Sequence, residues 1–134
     1  MLLGAGLRYL WPVPVWPWPH TWAPTAACFA AALTLAGPAV RRIWQVRSSI
    51  LPHLATTALV SSGPFRFTRN PMYLAMGLLL AGVAFALNSH AMLLVIVPWT
   101  VAMRHGVITR EERYLEGKFG EDYRAYCRRV RRWL

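Results

Sequence analysis

Residues 71–103 read PMYLAMGLLLAGVAFALNSHAMLLVIVPWTVAM. Two uncharged apolar runs, Pro71–Leu87 and Ala91–Met103, flank the small polar turn Asn88-Ser89-His90. Apolar runs joined this tightly predict a helical hairpin in lipid, because the bilayer core admits only backbone that satisfies its own hydrogen bonds. Gly77, Ala81, Gly82 and Ala86 supply the small-xxx-small spacing that lets helices approach closely. Asn70 is a candidate cap and Pro71 suits the first helical position. Pro98 predicts a kink in the second arm, which we extend to residue 107. Both arms are short for a ~30 Å hydrocarbon core, so tilt or local thinning is expected.

Upstream, residues 21–40 carry no charge and are long enough to span a bilayer. Pro38 and the Arg41-Arg42 pair are taken as the end of that span. Residues 41–70 form a polar, basic connector with turn signals at Pro52 and Ser62-Gly63-Pro64. Residues 11–20 hold four Pro and three Trp, which exclude a regular helix and favour the headgroup level. Residues 1–10 read as a short or truncated first span, and residues 1–20 together as that span and its Pro/Trp loop. Residues 108–134 read as a cytoplasmic helix. The expected fold is therefore a single all-α domain, 1–134. It is a polytopic membrane helical bundle of three to four transmembrane helices with a C-terminal amphipathic helix.

The charge distribution supports the same class. Only 15% of residues are charged, against about 25% in soluble domains. Fifteen basic residues face five acidic ones, and all five acids lie between Glu111 and Asp122. Basic clusters alternate with the apolar runs, which places 41–70 and 104–134 on one side, the cytoplasmic side of a bacterial inner membrane. That pattern favours a membrane protein over a nucleic-acid binder. Cys28 and Cys127 fit no metal or redox spacing, and no His/Cys/carboxylate set fits zinc. No removable signal peptide is expected. Neither a Gly-rich phosphate loop nor a Ser-His-Asp order occurs. His53 and His105 read as surface residues on the cytoplasmic side.

Three constellations could carry chemistry. The first is Ser62-Gly63-Pro64-Phe65-Arg66-Phe67-Thr68-Arg69-Asn70-Pro71-Met72-Tyr73. It sets two arginines at the start of a membrane helix, whose free N–H groups and partial positive charge make an anion seat. The bland alternative is a capped helix whose arginines anchor to lipid phosphate. The second is Glu111-Glu112. At 100° per residue both border the apolar face defined by Ile108, Leu115 and Phe119, while Arg110 and Arg113 point away. Carboxylates turned toward a membrane bundle need a partner. That partner is a cationic ligand group, or else an arginine such as Arg69 or Arg104. A third possibility is that Thr109-x-x-Glu112 only closes a capping box. The third constellation is the tail, where Leu115, Phe119, Tyr123, Tyr126 and Val130 recur at helical steps among arginines. It reads as an amphipathic helix on the membrane surface, with Tyr123 or Tyr126 available to line a site.

The run Leu59–Leu74 is similar to the Arg-(His/Asn)-Pro-x-Tyr signature of the isoprenylcysteine carboxyl methyltransferase and phospholipid methyltransferase superfamily. That family continues, after a membrane hairpin, with a Glu-Glu pair and a Phe-Gly…Tyr…Tyr tail. Glu111-Glu112 and Phe119-Gly120…Tyr123…Tyr126 stand in those places. The likeness covers roughly residues 50–133. It departs at Ala75, where the family commonly has Gly, and at Arg131, where it often has Pro.

The resemblance implies an S-adenosyl-L-methionine-dependent methyltransferase with the cofactor held at the cytoplasmic face. Arg69 and Glu111 are then the catalytic pair. Arg69, Asn70, Pro71, Tyr73, Gly77, Glu111 and Glu112 would bind the cofactor, and Arg66 and Tyr126 the acceptor. The acceptor is a lipidic small molecule or a prenylated group entering from membrane lipid. No metal or nucleic acid is implied, and a homodimer is open. The competing classes are a non-catalytic membrane anchor that keeps the fold and, behind it, a membrane reductase. The whole expectation needs Arg69 and Glu111 in one pocket.

Overall fold

The structure, a computed structural model, describes residues 20–45 and 58–133. The expected first span and its Pro/Trp loop up to residue 19 lie outside the described residues, as do Arg47, Pro52 and His53. Helix α1 is Trp22–Gln45, α2 is Pro71–Ala86, α3 is His90–Ala102, α4 is Thr109–Phe119 and α5 is Glu121–Arg129. A 3₁₀ turn, Gly63–Arg66, precedes α2, and a π-helical turn, Met103–Ile108, joins α3 to α4. The described residues contain no strand, so the chain is all-α.

Helix α1 runs 24 residues, through Pro38 and past the Arg41-Arg42 pair that the charge pattern takes as its end. Proline removes one backbone donor, which a membrane helix tolerates when the neighbouring groups are satisfied locally. The arginines remain helical because their long stems carry the charge out of the apolar layer. Hydroxyls on α1 turn back onto its own carbonyls, Thr25 to Thr21 at 2.8 Å and Thr34 to Ala31 at 2.9 Å. Its buried stripe, Ala32, Ala39 and Ile43, packs mainly on α2.

Helix α2 is 16 residues long, about 24 Å at helical rise and shorter than a bilayer core. Its close approach to α1 depends on Gly82. A Cβ there would stand 3.2 Å from the Cys28 Cβ and 3.2 Å from the Phe29 ring. Gly82→Val adds two further methyl groups to that contact. It is expected to lower stability by about 1–3 kcal/mol, read as a lower melting temperature in detergent. An unchanged melting temperature would show that α1 and α2 do not pack this way.

The hairpin turn is tight. Asn88 adopts φ 48°, which an Asn accepts more readily than most residues. The Ser89 side chain accepts from the Met92 N–H and caps α3. From His90 the helix continues for 30 residues to Phe119, about 45 Å and longer than the hydrocarbon core, so its last turns project beyond it. Thr109 therefore starts no new helix. Its hydroxyl donates to the Arg104 carbonyl at 2.7 Å, and no capping box with Glu112 forms.

The apolar recurrence of the tail predicts one helix, but Gly120 divides it. Its φ of 53° suits glycine and ends α4, and the Gly120 N–H bonds the Glu116 carbonyl at 2.9 Å. Helix α5 consequently folds back, and Tyr123, Tyr126 and Val130 form a small core with Leu59, Leu115 and Phe119. Leu33, Leu94 and Val97 stay exposed on α1 and α3, as lipid-facing residues should. The molecule is a membrane helical bundle closed at one end by α4 and α5.

Candidate active site

The turn before α2 is held by the chain's last residues. The Arg69 N–H donates to the Arg131 carbonyl at 2.9 Å. The Thr68 hydroxyl and the Asn70 amide both donate to the Arg132 carbonyl, at 3.1 and 3.0 Å. Asn70 therefore makes no side-chain cap on α2. Its amide is drawn to the tail, whose carbonyls are otherwise unpaired after α5 ends. The Asn70 N–H instead meets the Thr68 hydroxyl at 3.2 Å. Tyr126 completes the clasp by donating to the Phe65 carbonyl at 2.7 Å.

This clasp presents Arg69 to Glu112. Their Nη1–Oε1 distance is 3.2 Å, and both side chains are mostly buried. Arg132 approaches the same carboxylate with two nitrogens, Nε at 3.0 Å from Oε1 and Nη2 on Oε2. Arg69 Nη1 also donates to Cys127 Sγ at 2.9 Å. Burial opposes the Arg69 charge, but Cys127 and the Glu112 carboxylate more than offset it and hold the pKa above its ordinary value. Burial likewise raises the Tyr123 and Tyr126 phenols, so both stay neutral hydrogen-bonding groups near neutral pH. Arg69 Nε is buried without a partner.

Glu111 goes elsewhere. Its Oε2 accepts the Tyr73 hydroxyl at 2.9 Å, joining α4 to the first turn of α2. A cavity of about 660 Å³ opens beside this pair, with Arg69, Asn70, Pro71, Tyr73 and Glu111 on its wall. That volume lies in the range of small-molecule sites. A smaller cavity of about 80 Å³ adjoins it, shares Arg69, Asn70 and Glu111, and is lined also by Glu112 and Tyr126. Arg69 and Glu111 thus meet at one site on one side of the bundle.

Two of the expected residues stand apart. Gly77 faces Trp99 of α3, where an added Cβ would touch the indole at 3.4 Å, and it lines neither cavity. Arg66 is exposed on the 3₁₀ turn and also lines neither. Conversely, Ile43 of α1, Met76 of α2, and Met103, Gly106 and Tyr114 along the α3–α4 helix line the large cavity without having been singled out. Gly106 was the one available signal, a glycine within an otherwise helical run. It lies in the π turn, whose extra residue widens the helix where the cavity opens.

The sequence model of the phospholipid methyltransferase family matches residues 26–122. An uncharacterised protein of Haemophilus influenzae is 40% identical over 63 residues, which are 47% of this chain and the whole of that protein. No solved structure matches the chain.

Proposed function

The chain belongs to the phospholipid methyltransferase family, and from that premise we propose that it is a membrane methyltransferase that takes S-adenosyl-L-methionine as donor and a lipidic acceptor from the bilayer. Arg69 and Glu111 on the wall of one cavity of about 660 Å³ carry this proposal. The cofactor's methionine end bears a carboxylate and an ammonium, so it requires a cation and an anion side by side. Arg69, a guanidinium on the cavity wall, suits the carboxylate. Burial and the adjoining Glu112 carboxylate raise the Glu111 pKa while the Tyr73 hydrogen bond lowers it, and an ammonium seated beside it would favour its charged form.

When bound, the cofactor supplies an electrophilic methyl on a sulfonium, open to in-line displacement by an acceptor heteroatom. The chain's own contribution is alignment and exclusion of water. Tyr73 orients the Glu111 carboxylate, and Asn70 and Pro71 set the start of α2 beneath it. Glu112, engaged by two arginines, holds Arg69 and is not free for the ammonium. Ile43, Met76 and Met103 make the apolar wall along which an acyl or isoprenoid chain would lie. Tyr126, in the adjoining cavity, borders the acceptor side. A carboxylate acceptor would need no base, whereas a protonated amine or a thiol would first have to lose a proton, which favours a carboxylate acceptor. The basic loops orient the site to the cytoplasmic face of a bacterial inner membrane.

The test is transfer of a labelled methyl group from S-adenosyl-L-methionine into a membrane lipid extract by the purified protein. Protein-dependent label in a lipid fraction is expected, and the labelled species identifies the acceptor. Absence of transfer together with absence of saturable cofactor binding would assign the chain to a non-catalytic membrane module.

A further inference from the structure

Glu112 receives two arginines of different origin. Arg69 comes from the turn before α2, and Arg132 from the last residues of the chain. The Arg132 fork engages both carboxylate oxygens, which fixes the orientation of the carboxylate. Glu112 can then hold only one edge of the Arg69 guanidinium, through Nη1, while Arg69 also stands on the wall of both cavities. The Arg132 carbonyl meanwhile receives Thr68 and Asn70, on either side of Arg69 in sequence. The same residue therefore grips the backbone that carries Arg69 and the carboxylate that aims it. All three charged side chains are largely shielded, at 18, 15 and 29% exposure, so solvent screening does not cancel the arrangement. Arg128 and Arg124, by contrast, make exposed pairs with Glu121.

We propose that Arg132 is a positioning residue for the cofactor seat: acting through Glu112 and through its own carbonyl, it holds Arg69 in the orientation that receives the donor's carboxylate. This rests on the reading of the cavity as the S-adenosyl-L-methionine site. Arg132 does not touch the cofactor; it governs binding from the far side of the Arg69–Glu112 pair. The tail is thereby part of the site and not only a membrane anchor.

The experiment measures equilibrium binding of S-adenosyl-L-methionine to the full-length protein in detergent, with helical content and melting temperature recorded in parallel. Arg132→Met is expected to weaken binding by about tenfold or more, since a displacement of about 1 Å at a positioned group can cost a hundredfold. Arg132→Lys restores the charge without the fork and is expected to recover only part of the loss. In a Glu112→Gln background, Arg132→Met is expected to add little, because the two act in series. Arg128→Ala, an exposed pair outside the site, is expected to bind as wild type. If Arg132→Met loses helical content, the Lys variant decides: binding equal to wild type with normal melting overturns the proposal. A folded Arg132→Met that binds within twofold of wild type overturns it as well, as does full additivity with Glu112→Gln. Wild-type protein that does not bind the cofactor overturns the parent reading itself, and this inference with it.

Discussion

Glu111→Gln is expected to weaken S-adenosyl-L-methionine binding by about tenfold to a hundredfold while leaving the fold intact. The substitution keeps the side chain's shape and an oxygen that can accept the Tyr73 hydroxyl, now at 2.9 Å. What it removes is the capacity to carry a negative charge on the cavity wall when the ammonium is present. A hydrogen bond to a charged group contributes about 1.5–3 kcal/mol, and each 1.4 kcal/mol is about tenfold in affinity. Stability should change little, because Glu111 has no cationic partner among the described residues and sits beside the like-charged Glu112. Calorimetric titration beside a thermal melt separates the two quantities. Wild-type affinity in Glu111→Gln would remove the ammonium seat from the proposal. A large fall in melting temperature would instead make the Tyr73–Glu111 bond a structural tie between α2 and α4.

The second large effect is expected at Arg69. Arg69→Lys keeps the charge, yet we expect methyl transfer to fall about a hundredfold or more, with a raised KM for the donor. The guanidinium reaches Glu112 and Cys127 through Nη1 and also lines the cavity. A lysine ammonium is a single point of charge that, drawn to Glu112, presents no second planar edge to a carboxylate ligand. The stability cost should be small, about 1 kcal/mol, because Glu112 keeps both of its bonds from Arg132 and is not left as an uncompensated buried charge. The kinetic loss should therefore far exceed what the melting temperature registers. Full activity in Arg69→Lys would mean that Arg69 serves the packing of the tail and not the cofactor.

The membrane helices were legible in the chain itself, because the free energy of placing a segment in lipid is a sum over contiguous residues. Pro71–Ala86 and His90–Ala102 follow from uninterrupted apolar runs, and Asn88-Ser89 from the polar break between them. The candidate site residues stood out for a related reason: an arginine pair, a proline-started helix and adjacent carboxylates are conspicuous in a chain with so few charges. Partnership was not legible. That Glu111 meets Tyr73 while Glu112 meets Arg69 and Arg132 depends on how the chain folds back at Gly120 and docks the Arg132 carbonyl, beyond α5, on Thr68 and Asn70. Asn70 looks like a cap in sequence and is claimed by the tail in space. Gly77, which the small-xxx-small spacing offers to helix packing and the resemblance to the cofactor, packs on Trp99. The same limit hid Ile43, which α1 delivers to the cavity from a distant part of the chain. Hydropathy is additive along a segment, so sequence alone determines which segments are membrane helices. A salt bridge or a cavity wall depends on helix phase and on contacts between residues far apart in the chain, and those exist only once the bundle has closed.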